Sequence, residues 1–243
     1  MIKKFLGTVA FLTIIPVNKK YQTELKDSVI FFPLVGLLIG CILLLVYRTI
    51  NTFLQKSIID IIIVLISVII TGGLHIDGFS DTIDGICSNK NKNEILKIMD
   101  DSRIGVMGTI GIFFLLIFKY ILLNNLTENT INSALLLMPT LGRYNMIFSG
   151  KISLPIKQTG LGNIFITNIR NIDLIITTIY TLIITVLLLK QHGLILFLTT
   201  ILLTTLITKY LTNKIGGMTG DCFGTVNEIT EIFVLFYFVL LIQ

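Results

Sequence analysis

The sequence predicts an all-α, polytopic integral membrane helix bundle, with about seven transmembrane helices and an N-terminal interfacial or re-entrant element. Three observations carry that prediction. Of the 243 residues, 53% are hydrophobic and only 14% charged, whereas a water-exposed domain carries roughly 25% charge. Mean hydropathy is +0.90. Stretches such as 61 to 66 and 113 to 118 are apolar at successive positions, which favours helices over barrel strands that alternate in polarity. No polar stretch is long enough to bury a core of its own, so residues 1–243 read as one membrane-embedded domain.

The elements follow from run length, because hydrocarbon about 30 Å thick needs roughly 20 mostly apolar residues per helix. Seven runs qualify, at about 30 to 50, 57 to 74, 105 to 123, 131 to 148, 172 to 189, 193 to 212 and 229 to 242. The fourth is the weakest, since Asn132, Ser133, Thr140 and Arg143 interrupt it. Ahead of them, Lys3 and Lys4 precede an apolar stretch ending at Pro16 and Val17, in imitation of a secretory signal. No clear cleavage site follows, so this stretch is expected to be retained as the interfacial or re-entrant element.

Charge sets the expected orientation. Fifteen Lys and Arg residues fall in loops on the N-terminal side of the membrane and four on the other, namely Arg48, Lys56, Lys119 and Lys190. The positive-inside rule then places the N-terminus in the cytoplasm of a prokaryote and, after seven spans, the C-terminus outside. Twelve of the fourteen carboxylates share the cytoplasmic side, all but Asp60 and Glu128. The net charge of +5 comes from scattered residues, with no Trp and no basic stripe interleaved with aromatics, so a nucleic-acid partner is not expected. Cys41, Cys87 and Cys222 are odd in number and lack the close spacing of zinc or redox pairs, so they read as reduced and structural.

The chemistry concentrates between Gly72 and Arg103. Asp77, Asp81 and Asp84 are spaced by four and three residues, which on a helix puts them on one face with neighbouring Cβ atoms about 5–6 Å apart. Three such anions repel one another, and a carboxylate near the membrane core costs about 2.5–3.5 kcal/mol on insertion scales. They need a cation or a water-filled cavity. All-oxygen ligands favour a hard ion, Mg²⁺ or Mn²⁺, over zinc. Gly72, Gly73, Gly78 and Gly85 flank the acids and allow a backbone or a phosphate to approach. The bland alternative is an acidic helix end hydrated in a cytoplasmic loop. Downstream, Arg103 is suited to bidentate phosphate contact and Asp101 to proton acceptance or a metal shell; an Arg at lipid headgroups and an Asp pair starting a helix is the competing reading. His75, without a partner His or Cys, reads as a local hydrogen-bonding group.

A second cluster, GGMTGDCFGTVNEITE at 216 to 231, precedes the last span. Gly216, Gly217, Gly220 and Gly224 permit a tight turn, Thr219 and nearby amides suit a phosphate, and Asp221, Glu228 and Glu231 add oxygen donors. Glu228 and Glu231 should share a helix face. Taken alone, this is equally a Gly-rich hairpin between helices; two such loops on one side of the membrane point to one composite site.

These segments resemble the cobalamin synthase family, the adenosylcobinamide-GDP ribazoletransferases. FLTIIPV (11 to 17), FFPLVGLLIG (31 to 40), TGGLHIDGFSDTIDG (71 to 85), ILKIMDDSRIG (95 to 105), GLGNIFI (160 to 166) and GGMTGDCFG (216 to 224) run in the family's order over nearly the whole chain. The chain departs from the commoner pattern at Gly142 before Arg143, where Ser is usual, at Thr225, where Ala is usual, and at Asp101, where Arg is frequent.

The resemblance implies attack of the ribose 3′-hydroxyl of α-ribazole, or of its 5′-phosphate, on the cobinamide-side phosphorus of adenosylcobinamide-GDP, with GMP as leaving group. It implies Mg²⁺, or alternatively Mn²⁺, on Asp77, Asp81, Asp84 and Asp221, with Asp84 as base. It further implies Ser102, Arg103, Thr219 and Gly220 around the phosphates, with Arg143, Asn163 and Glu228 also at the substrates; Arg143 equally suits a cap on the fourth span. The expected setting is the cytoplasmic (inner) membrane, as a homo-oligomer or in a complex with other cobalamin-assembly enzymes. Two alternatives stand beside it. A CDP-alcohol phosphotransferase, like a prenyltransferase, uses Asp-rich helices for diphosphates, though DGFSDTIDG matches the former's motif poorly. A transporter would place its acids near the midplane in two related halves, whereas here they gather at one interface.

Overall fold

The structure, a computed structural model, describes residues 1–18, 28–156 and 161–242. Lys19, Lys20, Lys26 and Lys157, counted in the charge bias, and Gly160 of the GLGNIFI segment lie outside those residues. Among the described residues eleven α-helices follow in order: α1 Ile2–Leu12, α2 Phe32–Ile50, α3 Lys56–Ile70, α4 Leu74–Cys87, α5 Lys92–Met99, α6 Val106–Asn124, α7 Glu128–Ile152, α8 Leu161–Asn168, α9 Asn171–Leu189, α10 Gln191–Ile215 and α11 Gly220–Leu241. Among the described residues the only extended pairing is an isolated bridge between Pro155 and Met218.

The bundle is built inside out. On α9, Ile172, Ile175, Ile179 and Ile183 are exposed while Asp173, Thr177, Thr181 and Thr185 are buried; on α10, Leu194, Leu198, Leu202 and Leu206 are exposed while Thr200, Thr204 and Thr208 are buried. A soluble helix turns its polar face outward. Here the apolar face meets the surroundings and hydroxyls satisfy one another inside, as when Ser149 and Thr208 share a hydrogen bond at 2.8 Å. That arrangement suits lipid as solvent.

Five helices are long and apolar enough to cross a membrane, α2 with its preceding turn, α6, α9, α10 and α11, or six if α3 and α4 make one broken span. The structure is the expected all-α membrane bundle, and the expected runs differ from its helices at two places. The run expected at 131 to 148 becomes α7, whose length suffices but whose Thr140, Arg143, Asn145 and Ser149 are all buried. It is the central strut of the bundle, packed mainly on α2 and α11, so several of its polar groups, Arg143, Asn145 and Ser149 among them, find partners in protein. The run expected at 57 to 74 stops at Ile70, where the chain bends by 88° into α4. Gly72 and Gly73 have φ of 60° and 73°, in the left-handed region that side chains with a Cβ adopt only at a cost. The bend therefore needs glycine, and it turns the Asp-bearing helix across the bundle.

The third correction concerns the last helix. Its start was expected near 229, with a hairpin before it, but α11 begins at Gly220. Gly216, at φ 95°, ends α10, and Thr219 caps α11, its hydroxyl accepting from the Cys222 amide. Gly220 and Gly224 thus lie within a helix rather than a turn. The N-terminal stretch forms α1, which packs through Val9 and Leu12.

Candidate active site

Two helix ends meet at the site. At Gly78 on α4 an added Cβ would stand 2.7 Å from the Cα of Asp221, and at Gly224 on α11 one would stand 2.7 Å from the carbonyl oxygen of His75. The two backbones touch because these positions carry no side chain, and the Thr225 hydroxyl donates across the contact to the Gly78 carbonyl at 3.4 Å. This crossing brings the first acidic segment against the second, although about 140 residues separate them in the chain. Asp77 is exposed, and Asp81 and Asp221 are half-buried. Asp81 lies within electrostatic range of Asp77, Asp84 and Asp221. Asp77 and Asp81 accept no hydrogen bond or ion pair from the described residues, while Thr219 donates to Asp221 at 3.3 Å.

Asp84 is placed differently. Its two oxygens accept from the amides of Gly105 and Gly108, each at 2.7 Å. Gly105 is the N-cap of α6 and has no side chain to offer, so a carboxylate from α4 does the capping, where the positive end of the helix dipole favours it. A Cβ at either glycine would strike that carboxylate. Asp84 is thus taken up by the α6 amides, and among the described residues no group of three or more His, Cys, Asp or Glu side chains stands close enough to hold a metal ion by itself.

The loop between α5 and α6 carries Ser102 and Arg103, both exposed. The Arg103 guanidinium donates to Asp101 through Nε and Nη2, the latter at 2.7 Å. Those hydrogen bonds hold the Asp101 carboxyl down at about 2, and Asp101 raises the Arg103 pKa in return. Asp101, expected as a proton acceptor, is by this measure a weak base at neutral pH; it orients a cation whose outer face stays open to an anion. On the other flank, Gly162 of α8 sits against the Gly220 amide, 2.7 Å from an added Cβ. Asn163, half-buried, follows it. Between α8 and the α4–α11 crossing lies a cavity of about 130 Å³, with His75, Asp77, Gly220 and Asp221 among its lining residues.

Behind the cavity, sequence reasoning missed a closed ion cluster. The Lys119 ammonium donates to Glu228 and to Glu231, each at 2.6 Å, with all three side chains no more than 5% exposed. Glu231 also pairs with Arg143, 2% exposed, which additionally reaches the Pro139 carbonyl at 3.5 Å. Asn227 donates to both glutamates. Glu228 and Glu231 do share a face, as their spacing implied, but that face meets Lys119. Lys119, assigned to an outer loop, and Arg143, assigned to the cytoplasmic side, belong to neither surface; each side loses one charge and the bias remains. Glu228 and Arg143, expected at the substrate, do not line the cavity. His75 sits between cavity and cluster, 2% exposed, its Nε2 buried without a hydrogen-bond partner, in place of the local bond expected of it. A lone Lys in an apolar run was the signal for this cluster, and its partners lie more than 100 residues away.

An inside-out helical bundle with several helices long and apolar enough to cross a membrane, and with carboxylates from two segments brought together at a helix N-terminus, has the character of a multi-pass membrane protein. Comparison with known proteins narrows the class. The family model Cobalamin-5-phosphate synthase matches residues 4–239, and the chain belongs to that family. A Clostridium botulinum protein named adenosylcobinamide-GDP ribazoletransferase is 39% identical over 236 residues, covering 96% of this chain and 95% of its own. Proteins of the same name from Clostridium tetani and Thermoanaerobacter pseudethanolicus are each 35% identical, covering 99% and 98% of this chain and 98% and 97% of their own. No solved structure matches.

Proposed function

We propose that this chain joins adenosylcobinamide-GDP to α-ribazole, or to its 5′-phosphate, giving adenosylcobalamin or its 5′-phosphate and GMP at the mouth between α4 and α11. Membership of the family supports the reaction, and the observation that supports its location is the glycine-mediated crossing that sets Asp77 and Asp81 against Asp221. The ribose 3′-oxygen forms a bond to the cobinamide-side phosphorus. The bond from that phosphorus to the bridging oxygen breaks, and GMP leaves with that oxygen and the electron pair. The hydroxyl proton goes to a carboxylate at the mouth. Asp84 was the sequence-based choice, but its two oxygens are committed to the α6 amides; we assign the proton to Asp77, which is exposed and accepts nothing from the described residues.

The donor set fits Mg²⁺ in one specific way. A closed protein cage is excluded among the described residues, yet Mg²⁺ ordinarily keeps several waters and takes one or two carboxylates together with substrate phosphates. Asp81 and Asp221, with Asp77 beside them, would hold it in that manner. When bound, Mg²⁺ supplies charge neutralisation for the diphosphate and for departing GMP. Arg103, Ser102, Thr219 and the first amides of α11 hold the remaining phosphate oxygens, and Asn163 lies on the flank where a substrate enters. Asp84 keeps the α6 N-terminus, and with it the Arg103 loop, against α4. The charge bias supports a cytoplasmic-membrane location with this mouth facing the cytoplasm.

The test is GMP release from purified full-length protein in detergent or liposomes, given adenosylcobinamide-GDP, α-ribazole and Mg²⁺. Chelation should stop release and added Mg²⁺ should restore it. Folded wild type that releases no GMP would sink the reading, and release of CMP from a CDP-alcohol would replace it.

A further inference from the structure

Aromatic rings dominate the inner walls of the cavity beside the mouth. Phe32 and Phe165 stack with centroids 5.3 Å apart and planes 26° apart, and Phe223 stands edge-on to Phe165 at 4.8 Å. Phe11, Leu74 and Met146 add to the apolar lining. Phe32, Phe165 and Phe223 are no more than 5% exposed and brace one another across α2, α8 and α11, so the walls stand before any ligand arrives. The polar lining residues include the same Asp77 and Asp221 that form the mouth. An occupant must join a flat apolar end to a polar end that stops at those carboxylates.

Resting on the reaction proposed above, we propose that this cavity receives the base of the nucleoside acceptor, leaving its ribose between Asp77 and Asp221. The parts of the two substrates differ in what they ask of a wall. A corrin ring far exceeds 130 Å³. Guanine presents a carbonyl, an amine and ring nitrogens around its whole edge, and each loses its water on entry unless a partner replaces it; the Phe, Leu and Met walls provide none, and the polar lining of His75, Asp77, Gly220 and Asp221 is too small to serve every edge. The base of α-ribazole is a dimethylbenzimidazole, whose outer half is a hydrocarbon ring that asks only for apolar contact. The size agrees, since an apolar cavity of about 150 Å³ holds benzene, and this one holds the carbocyclic half with the glycosidic half at the opening. In that pose the base sits deep and the sugar hydroxyls lie beside Asp77, which receives the proton.

The experiment uses full-length protein and two variants, with GMP release read first on wild type. Phe165→Ala opens the wall and should raise KM for α-ribazole about tenfold, with KM for adenosylcobinamide-GDP changed less than twofold. Phe165→Trp supplies the chain's only tryptophan, and α-ribazole should alter its fluorescence in the absence of turnover whereas GMP should not. A rise in KM confined to adenosylcobinamide-GDP, or an indole signal from the Phe165→Trp variant answering GMP and not α-ribazole, would overturn the assignment while the reaction stands. Wild type without GMP release would overturn the reaction itself, so the two failures are told apart.

Discussion

The mouth between α4 and α11 and the ion cluster farther along α11 are built from the same side chains and behave in opposite ways. At the mouth Asp81 lies within electrostatic range of Asp77 and Asp221, and in the α5–α6 loop Arg103 is paired to Asp101. In the cluster two carboxylates, Glu228 and Glu231, meet two cations, Lys119 and Arg143, with every member buried. Charges taken out of water persist only when paired and hydrogen-bonded. The cluster meets that condition by itself and is shut. At the mouth Asp77 and Asp81 accept no hydrogen bond or ion pair from the described residues, and Asp77 is exposed. One helix carries both, so α11 transmits the position of a rigid interior to a reactive end.

The largest effect should come from unbalancing the cluster. Glu231→Leu leaves Lys119 and Arg143 buried with one carboxylate fewer, a change that costs about 3–5 kcal/mol, read as a fall in the midpoint of thermal or detergent denaturation. Lys119→Met combined with Glu228→Met removes one charge of each sign and should be markedly milder; equal loss from both would show that the cluster is not held by balance. Next, Asp81→Asn should cut GMP release by about 100-fold or more, since it removes a charge that neutralises the reacting phosphates, while the denaturation midpoint stays near wild type. Near-normal rates from Asn at 77, 81 and 221 in turn would end the division drawn between mouth and cluster.

Smaller effects follow in the α5–α6 loop. Arg103→Lys keeps the charge but not the planar fork and should raise KM for adenosylcobinamide-GDP about tenfold. Asp101 is held near 2 by Arg103, so its negative charge is fully present above its usual range and is lost only as pH falls through about 2. Asp101→Asn should therefore leave the acid limb of the activity profile between pH 4 and 8 where it is. A shifted limb would make Asp101 a titrating participant in the reaction.

The helices were legible wherever the reason for them is local. Apolar runs long enough for hydrocarbon located α2, α6, α9 and α10 closely, because a membrane-facing helix carries its own signature at each turn. The acidic segment was legible for the same reason, since the spacing of Asp77, Asp81 and Asp84 is a property of one helix. It misled on Asp84, because the amides of Gly105 and Gly108 that occupy it belong to another helix. Glycine density between 216 and 224 read as a turn, whereas Gly224 serves a helix crossing with α4. The run at 131 to 148 looked like a poor span because its polar residues, Arg143 and Asn145 among them, have partners such as Glu231 and Thr204 that no local pattern names.

Composition and periodicity alone determined that this chain is a helical membrane protein with two acidic, glycine-bearing segments, and the order of its motifs pointed to its family; each is written within a few turns of chain. Only the tertiary structure decided which carboxylates are taken up by a counter-charge or an amide. That choice depends on whether a counter-charge or an amide arrives from a distant helix, as at Lys119 and Gly105, and distance along the chain says nothing about such meetings until the backbones have packed.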